Sequence, residues 1–120
     1  MSWCFDLCDP VTKECLATDA KHFMFGTEVC VGGTNAMTLG VTYNYSSIIN
    51  KVFESEEGYA YFLNGKSGAE TIPYLKNAIE KLKDDVDDDY WKPTEGNAKR
   101  ALSQLLAFAQ MRPDGLWQVF

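Results

Sequence analysis

Apolar residues in the first third of the chain form short runs separated by turn residues. The run Trp3–Asp6, the turn residues Asp9–Lys13 and the following segment Glu14–Thr18 predict a β-hairpin. Three further short apolar runs are punctuated by glycine or asparagine and lie at His22–Phe25, Glu28–Val31 and Ala36–Tyr43. This region is therefore predicted to be rich in β-strands.

Later in the chain, apolar residues recur every three or four positions, which is the spacing of an amphipathic helix. The first such segment predicts a short helix over Ser47–Phe53, capped by Ser46 or Ser47. The segment Gly58–Leu63 is predicted to be a strand or an extended connection. It ends at Asn64–Gly65, a dipeptide typical of turns.

Two longer helices are predicted in the second half of the chain. The first starts at the capping-box sequence Ser67–Glu70, or at Thr71, and runs to about Lys83. Pro73 fits this helix only within its first turn. The second helix has Thr94 as its N-cap, and it is stopped by the segment 113–115, which contains proline and glycine.

The order of these elements predicts an α+β fold, in which a small N-terminal antiparallel β-sheet is followed by a short helix and two longer C-terminal helices packed on it. A length of 120 residues and a hydrophobic fraction of 46% predict a single domain over residues 1–120. The hydrophobic tail Leu116–Phe120 is expected to pack on this domain or on another subunit.

Acidic residues outnumber basic ones, which gives a net charge of −6. General binders of DNA or RNA depend on an excess of lysine and arginine, so neither nucleic acid is an expected partner. A small anion held by a few local cations remains compatible with this charge. The sequence has no apolar run long enough to span a membrane and no signal-peptide pattern, so we expect a soluble cytoplasmic protein without a membrane partner.

Signals for metal binding and catalysis are weak. The chain has four cysteines, Cys4, Cys8, Cys15 and Cys30. They form no CxxC pair, and His22 is the only histidine, so we expect reduced, largely buried thiols and no metal or cofactor. His22 also lacks a partner signature for nucleophilic catalysis, so no catalytic residue is assigned and the protein is not expected to be an enzyme. The run Asp84–Asp89 is interpreted as a solvated acidic loop rather than a calcium loop.

The segment Tyr90–Arg100 combines two aromatic rings with a helix start and the adjacent cations Lys99 and Arg100. Tyr90 and Trp91 could stack on a base, while N–H groups at the helix start and Arg100 could hold phosphate oxygens. Asn97 lies one helical turn before Arg100, so both could meet one ligand. The alternative is a helix-entry loop whose aromatic rings pack on the core and whose cations are solvated or pair with the acidic run.

Several stretches of the chain resemble small proteins encoded by bacteriophages and prophages, and most of all the Thoeris anti-defence sponges. The stretches that carry this resemblance are Tyr43–Ser46, Gly65–Pro73, Tyr90–Leu102 and Arg112–Trp117. The resemblance implies a homo-oligomeric protein that sequesters cyclic ADP-ribose signals made by bacterial TIR-domain enzymes, without cleaving them, in the cytosol of the infected cell.

Such a ligand presents an adenine, riboses and a diphosphate. The candidate ligand-binding residues that supply matching groups are Trp91, Asn97, Arg100 and Arg112, with Tyr90, Lys66 and Tyr43 as further candidates for the walls of the pocket. An alternative function is an acidic inhibitor that binds a host defence or regulatory protein through its charged surface.

Overall fold

The computed structural model of this chain describes residues 2–22, 34–53 and 55–120. It confirms the predicted α+β class. The strands and helices in these ranges are β1 (Ser2–Cys8), β2 (Ala17–His22), β3 (Thr34–Ala36), β4 (Thr38–Thr42), α1 (Ser46–Val52), α2 (Tyr59–Leu63), α3 (Gly68–Glu80), α4 (Glu95–Met111) and β5 (Leu116–Val119), with a 3-10 turn over Tyr43–Tyr45. The predicted run Glu28–Val31, most of the run His22–Phe25, and Cys30 lie outside the described residues.

β1 is the central strand of a three-stranded antiparallel sheet with the order β4-β1-β5. Its residue Phe5 lies opposite Leu39 of β4 and Val119 of β5, and Phe5 and Leu7 are fully buried. The predicted hairpin is wrong for most of its length, because the return segment meets β1 at a single bridge between Cys8 and Cys15. β4 and β5 offer β1 apolar partners, whereas the polar strand β2 pairs with β3 in a second sheet.

The hydrophobic tail forms β5, so it packs on its own domain. Trp117 of this strand is fully buried, and its indole Nε1–H donates to the hydroxyl of Thr71 in α3 at 2.9 Å. An edge-to-face contact joins Trp117 to Phe5, with ring centroids 6.5 Å apart. The last residues of the chain thereby connect the sheet to the longer helices.

The segment predicted as a strand after Gly58 is a short helix, α2, so that prediction is wrong. Gly58 has a φ of +86°, a conformation that favours glycine, and Asn50 Oδ1 accepts the N–H of Tyr59 at 2.9 Å. Tyr59 and Leu63, four residues apart, are both buried. Burial of one helical face outweighs the strand preference of the aromatic residues here.

The two longer helices begin where the sequence predicts. Ser67 accepts the N–H of Glu70 at 3.2 Å, and Thr94 accepts the N–H of Asn97 at 3.1 Å. Pro73, however, is the sixth residue of α3 and lies beyond its first turn, so the expectation of a first-turn proline is wrong. Pro73 and Ala69 are both exposed, and water can therefore hydrate the Ala69 carbonyl that loses its helical donor.

None of the helices formed by the described residues combines the length and the apolar composition needed to cross a membrane. The core lies between the three-stranded sheet and the helices. α3 and α4 pack closely, and a Cβ atom on Gly68 of α3 would lie 2.9 Å from the Arg112 carbonyl oxygen at the end of α4. Glycine at this position permits the close approach of the two helices.

Two buried tyrosines differ in the hydrogen bonding of their hydroxyls. The Tyr45 hydroxyl donates to the carbonyl of Tyr90. Among the described residues, the Tyr59 hydroxyl is buried without a hydrogen-bond partner, although its ring stacks on Phe5 at 5.6 Å. An unsatisfied buried hydroxyl loses its bonds to water on folding and gains nothing in return.

We expect the substitution Tyr59→Phe to raise the free energy of unfolding by about 1 kcal/mol, because it removes that unsatisfied group. The matched control is Tyr45→Phe, which leaves the Tyr90 carbonyl without its donor and should lower the same quantity by about 1 kcal/mol. Urea unfolding of the parent protein and of the two variants measures both changes in the free energy of unfolding. Destabilisation of similar size in the two variants would contradict this assignment.

Candidate functional site

Residues 84–92, here called the acidic loop, fold over the start of α4 and are held there by Asn97. This side chain is only 5% exposed. Its Oδ1 accepts the N–H of Asp87 at 2.9 Å, and its Nδ2 donates to the carbonyls of Asp89 and Lys92, both at 3.1 Å. One amide therefore satisfies three backbone groups of the loop, and its donors and acceptor are engaged within the protein.

Two N–H groups at the start of α4 are also occupied. The Asp85 carboxylate accepts the N–H of Gly96 at 3.0 Å, and the Thr94 hydroxyl accepts that of Asn97. A Cβ atom on Gly96 would lie 2.5 Å from the carbonyl carbon of Asp85 and from the nitrogen of Val86, so only glycine fits. A phosphate at this helix start would have to displace the carboxylate of Asp85.

The carboxylates of the acidic loop make local contacts. Asp84 pairs with Lys99 of α4 at 2.7 Å, and Asp87 pairs with Lys92 at 3.2 Å. The backbone N–H of Asp89 and the Lys92 ammonium lower the pKa of Asp87 below its ordinary value. The run is largely exposed, in line with its interpretation as a solvated loop, but several of its acids also fix the loop on α4.

Among the residues that the structure describes, no group of three histidine, cysteine or acidic side chains is arranged to hold a metal ion.

The two aromatic residues of the loop have different surroundings. The Tyr90 hydroxyl accepts the N–H of Thr42 at 3.0 Å and donates to the carbonyl of Gly40 at 3.2 Å, so it binds the outer edge of β4. The ring of Trp91 stacks on that of Tyr90, with centroids 5.1 Å apart, and is 45% exposed. Tyr90 is thus committed to the sheet, whereas Trp91 offers ring surface to solvent.

A small cavity of about 60 Å³ lies between the acidic loop and α4. Its walls are formed by Tyr45, Asp87, Asp88, Tyr90, Asn97, Arg100, Ala101 and Gln104. Ligand pockets usually measure about 300 to 1,000 Å³, so this space suits water and is too small for a nucleotide.

A larger groove of about 920 Å³ lies between β2 and α4. Its lining comes from β2, the acidic loop and one face of α4, and comprises Thr18, Asp19, Lys21, Asp84, Val86, Gly96, Lys99, Arg100, Ser103, Gln104, Ala107, Phe108 and Met111. The volume lies in the range of small-molecule sites. Arg100 and Gln104 line both the groove and the small cavity, so they stand between the two spaces.

The groove combines positive charge with apolar surface. Lys99 and Arg100 stand near the start of α4 and Lys21 of β2 also lines the space, so among the described residues its three cations outnumber its two acids, Asp19 and Asp84. Farther along α4, the lining is apolar at Phe108 and Met111. Such an arrangement suits a ligand that carries an anionic group and an apolar or aromatic group.

Of the candidate residues predicted from the sequence, the start of α4 brings together Tyr90, Trp91, Asn97 and Arg100. Arg112 lies twelve residues beyond Arg100 at the other end of α4, which corresponds to about 18 Å along the helix. Its guanidinium binds both carboxylate oxygens of Asp114, at 3.0 and 2.9 Å. The structure therefore does not bring Arg112 together with Arg100.

Lys66 lies just before α3, and Tyr43 lies directly after β4, next to residues that bind Tyr90 and Trp91. The Lys66 ammonium donates to the Phe62 carbonyl at 2.8 Å and stands 4.1 Å from the centre of the Phe62 ring. The Tyr43 ring contacts that of Trp3 edge-on, with centroids 5.2 Å apart. Neither residue lines the groove or the small cavity, and both remain candidates for a separate surface.

The sequence analysis did not identify the contribution of β2 to the groove. Asp19 and Lys21 are two positions apart on a strand, which places them on the same face. That alternation was the available signal. The side of α4 that this strand faces depends on the path of the chain after Cys15, which no local pattern specifies.

We expect Asn97→Ala to lower the free energy of unfolding by about 2 to 4 kcal/mol, because it leaves three backbone groups of the acidic loop without partners. Asn44→Ala is the matched control. It removes one exposed hydrogen bond to the Trp91 carbonyl, 2.8 Å long, and should cost less than about 1 kcal/mol. Chemical denaturation followed by tryptophan fluorescence compares the two. Equal losses of unfolding free energy in the two variants would show that Asn97 does not hold the loop.

The buried tyrosines also predict how stability depends on pH. Burial raises the pKa of Tyr45, Tyr59 and Tyr90 in the folded protein. These pKa values exceed the value of about 10 in the unfolded chain. The contribution of the three tyrosines to the free energy of unfolding is therefore fully present below pH 10, and it is lost as pH rises through the pKa values of the folded protein. Unfolding measurements from pH 8 to 12 should show a decline above about pH 10. The decline should be shallower in Tyr90→Phe, and an identical slope would contradict the role of Tyr90.

Comparisons with protein-family models, curated proteins and solved structures found no match for this chain. The resemblance to Thoeris anti-defence sponges consequently remains a prediction from the sequence. Support for a function comes instead from the groove beside α4 and from the cations that line it.

Proposed function

We propose that this protein is a phage-encoded anti-defence protein that sequesters a cyclic nucleotide-derived immune signal, a cyclic ADP-ribose isomer, without cleaving it. The observation that carries this proposal is the groove of about 920 Å³ between β2 and α4, which Lys21, Lys99 and Arg100 line. Its volume and its cations suit a compact nucleotide that carries a diphosphate. The resemblance of the sequence to the sponges supports the same ligand class.

In this proposal, the diphosphate lies near Lys99 and Arg100. Arginine binds phosphate oxygens with two parallel hydrogen bonds, and lysine adds a point charge. The adenine lies on the apolar part of the lining near Phe108 and Met111. Arg100 also lines the small cavity beneath the acidic loop, so the ligand in the groove uses only part of this side chain.

The ion pair between Asp84 and Lys99 affects how easily an anion binds to Lys99 in the groove. Asp84 is 87% exposed at its side chain, whereas Lys99 is 28% exposed. An exposed pair contributes little stability, so exchange of the Asp84 carboxylate for a ligand phosphate costs little. Lys99 is therefore held in place before the ligand arrives, and its charge becomes available on exchange.

Sequestration needs no catalytic group. Protein in excess over the signal lowers the free signal concentration in the host cytosol, and the defence effector is not activated. We include in the proposal a homo-oligomer in which a second subunit covers the ligand. Tight binding then follows from the enclosure of a largely preformed site.

The rival function, an acidic inhibitor of a host protein, gains less support from the contacts. Asp84 and Asp87 are paired with lysines, and Asp85 caps α4. These acids stabilise the loop locally, and fewer are left to attract a basic partner. We therefore favour the small-molecule function.

We expect isothermal titration with cyclic ADP-ribose isomers to detect binding of at least one isomer. Arg100→Ala should weaken it by roughly ten- to a hundred-fold, because a charge-assisted hydrogen bond contributes about 1.5 to 3 kcal/mol. Arg112→Ala is the matched control, since it removes the only other arginine of the chain and leaves the groove unchanged. Ligand released by boiling the complex should be intact.

Absence of heat with every isomer at high protein concentration would overturn the proposed ligand class. Recovery of a cleaved product would instead indicate an enzyme. Equal weakening by the two arginine substitutions would place the ligand outside the groove. A salt-sensitive host protein that co-purifies, together with an absence of ligand binding, would favour the acidic inhibitor.

A further inference from the structure

Cys8 at the end of β1 and Cys15 face each other across a short antiparallel bridge. The bridge is flanked by two backbone hydrogen bonds. The Asp9 N–H donates to the Glu14 carbonyl at 2.8 Å, and the Leu16 N–H donates to the Leu7 carbonyl at 2.9 Å. Because the bonds lie on either side of the cysteines, these form a non-hydrogen-bonded pair, the type in which facing side chains come closest.

This register suits a disulfide. The Cα atoms of a non-hydrogen-bonded pair are about 4.5 Å apart, inside the range of about 4.4 to 6.8 Å found in disulfides. The Cβ atoms of facing residues are about 4.5 to 5.5 Å apart, so they need to approach by roughly 1 Å. Both cysteines are free thiols in the structure.

Cys4 is not an alternative partner for Cys8. The two lie four residues apart on β1, which separates them by about 13 Å along the strand. The Cys4 thiol instead contacts the carboxylate of Asp6 at 3.6 Å and the hydroxyl of Thr38 at 3.7 Å. Among the described cysteines, the bridge therefore selects the pair Cys8 and Cys15.

We propose that Cys8 and Cys15 are a site of reversible oxidation to a cross-strand disulfide, with Cys15 as the thiol that reacts first with the oxidant. Cys15 is exposed, contrary to the expectation of largely buried thiols, whereas Cys8 is only 2% exposed. An oxidant of the disulfide class, such as oxidised glutathione, reaches Cys15 from solvent. Cys8 is positioned to attack afterwards from within the pair.

The reaction balances with one oxidant molecule. The Cys15 thiolate attacks a sulfur of oxidised glutathione, which forms a mixed disulfide and releases one glutathione thiolate. The Cys8 thiolate then attacks the Cys15 sulfur and releases the second glutathione. The two protein thiols lose two electrons and two protons, the oxidant is reduced to two glutathione thiols, and excess reduced glutathione reverses both steps.

The electrostatics of the pair determine how fast it reacts. Part of Cys15 is exposed, but the surrounding protein atoms still desolvate its sulfur, and this desolvation, with a further contribution from Asp6, raises its pKa to about 11. The same two causes raise the pKa of Cys8. Only the thiolate attacks, so the oxidation rate should increase about ten-fold for each pH unit in the neutral to mildly alkaline range. The site therefore responds to sustained oxidising conditions and is slow under brief ones.

The disulfide would close the turn that leads from β1 into β2. The Asp9 carboxylate already accepts the N–H groups of Val11 and Thr12, at 2.8 and 3.0 Å, so the turn is close to its closed form. Closing so short a loop is expected to raise the melting temperature by about 5 to 10 °C. Amide exchange should also slow at the start of β2, two residues after Cys15.

In the experiment, the 120-residue protein is incubated with oxidised glutathione at pH 8.5, and its intact mass, disulfide-linked peptides and melting temperature are measured. We expect the loss of two hydrogens, a peptide link between Cys8 and Cys15, and a higher melting temperature that reduced glutathione reverses. Cys4→Ser is the matched control and should behave like the parent protein. Cys8→Ala should accumulate one glutathione on Cys15, because the resolving thiol is missing.

Cys15→Ser changes an exposed residue, so it tests the order of reaction even if Cys8→Ala folds poorly. We expect this variant to take up no glutathione at Cys8 while it is folded. Rapid modification of Cys8 there would overturn the order of attack. A disulfide that maps to Cys4 or Cys30, or no mass change in the folded parent protein, would overturn the proposed pairing.

Discussion

The arrangement of the site depends on the three hydrogen bonds that Asn97 makes with the backbone of the acidic loop. They hold the loop against α4, so the loop carries Tyr90 to the edge of the sheet and Asp84 to the mouth of the groove. The same residue begins the turn of helix that ends at Arg100. A single buried amide therefore relates the sheet, the loop and the cation of the proposed binding site to one another.

The parts of this fold that the sequence predicts well are those determined by neighbouring residues. Ser67 and Thr94 cap helices through hydrogen bonds that span three residues, and such contacts leave a recognisable pattern. The order β4-β1-β5 depends on pairing between the two ends of the chain. No local pattern specifies that pairing, and the hairpin expected after Trp3 was wrong for this reason. α2 was predicted as a strand because its aromatic residues favour strands. Tertiary packing buries them at helical spacing instead, and this packing determines that the segment is a helix.

The same distinction applies to the candidate site. Arg100 was identified because it follows a helix start, and it does line the groove. Asn97 was identified for the same reason, yet its partners are backbone groups five to ten residues earlier in the chain. Lys21 was not identified, since its place beside α4 depends on how β2 crosses the helix. Residue type and spacing thus indicate which groups are near a helix start, whereas the direction of each side chain depends on the whole fold.

Both outer edges of the three-stranded sheet are covered by the chain itself. The Tyr90 hydroxyl binds the outward N–H of Thr42 and the outward carbonyl of Gly40 in β4, and residues 64–67 bind β5 at Trp117 and Val119. A further strand from another molecule therefore has no free backbone edge of this sheet to join, as far as the described residues extend. Edge-to-edge pairing of this sheet between copies of the protein is therefore disfavoured, and contacts between copies are left to other surfaces.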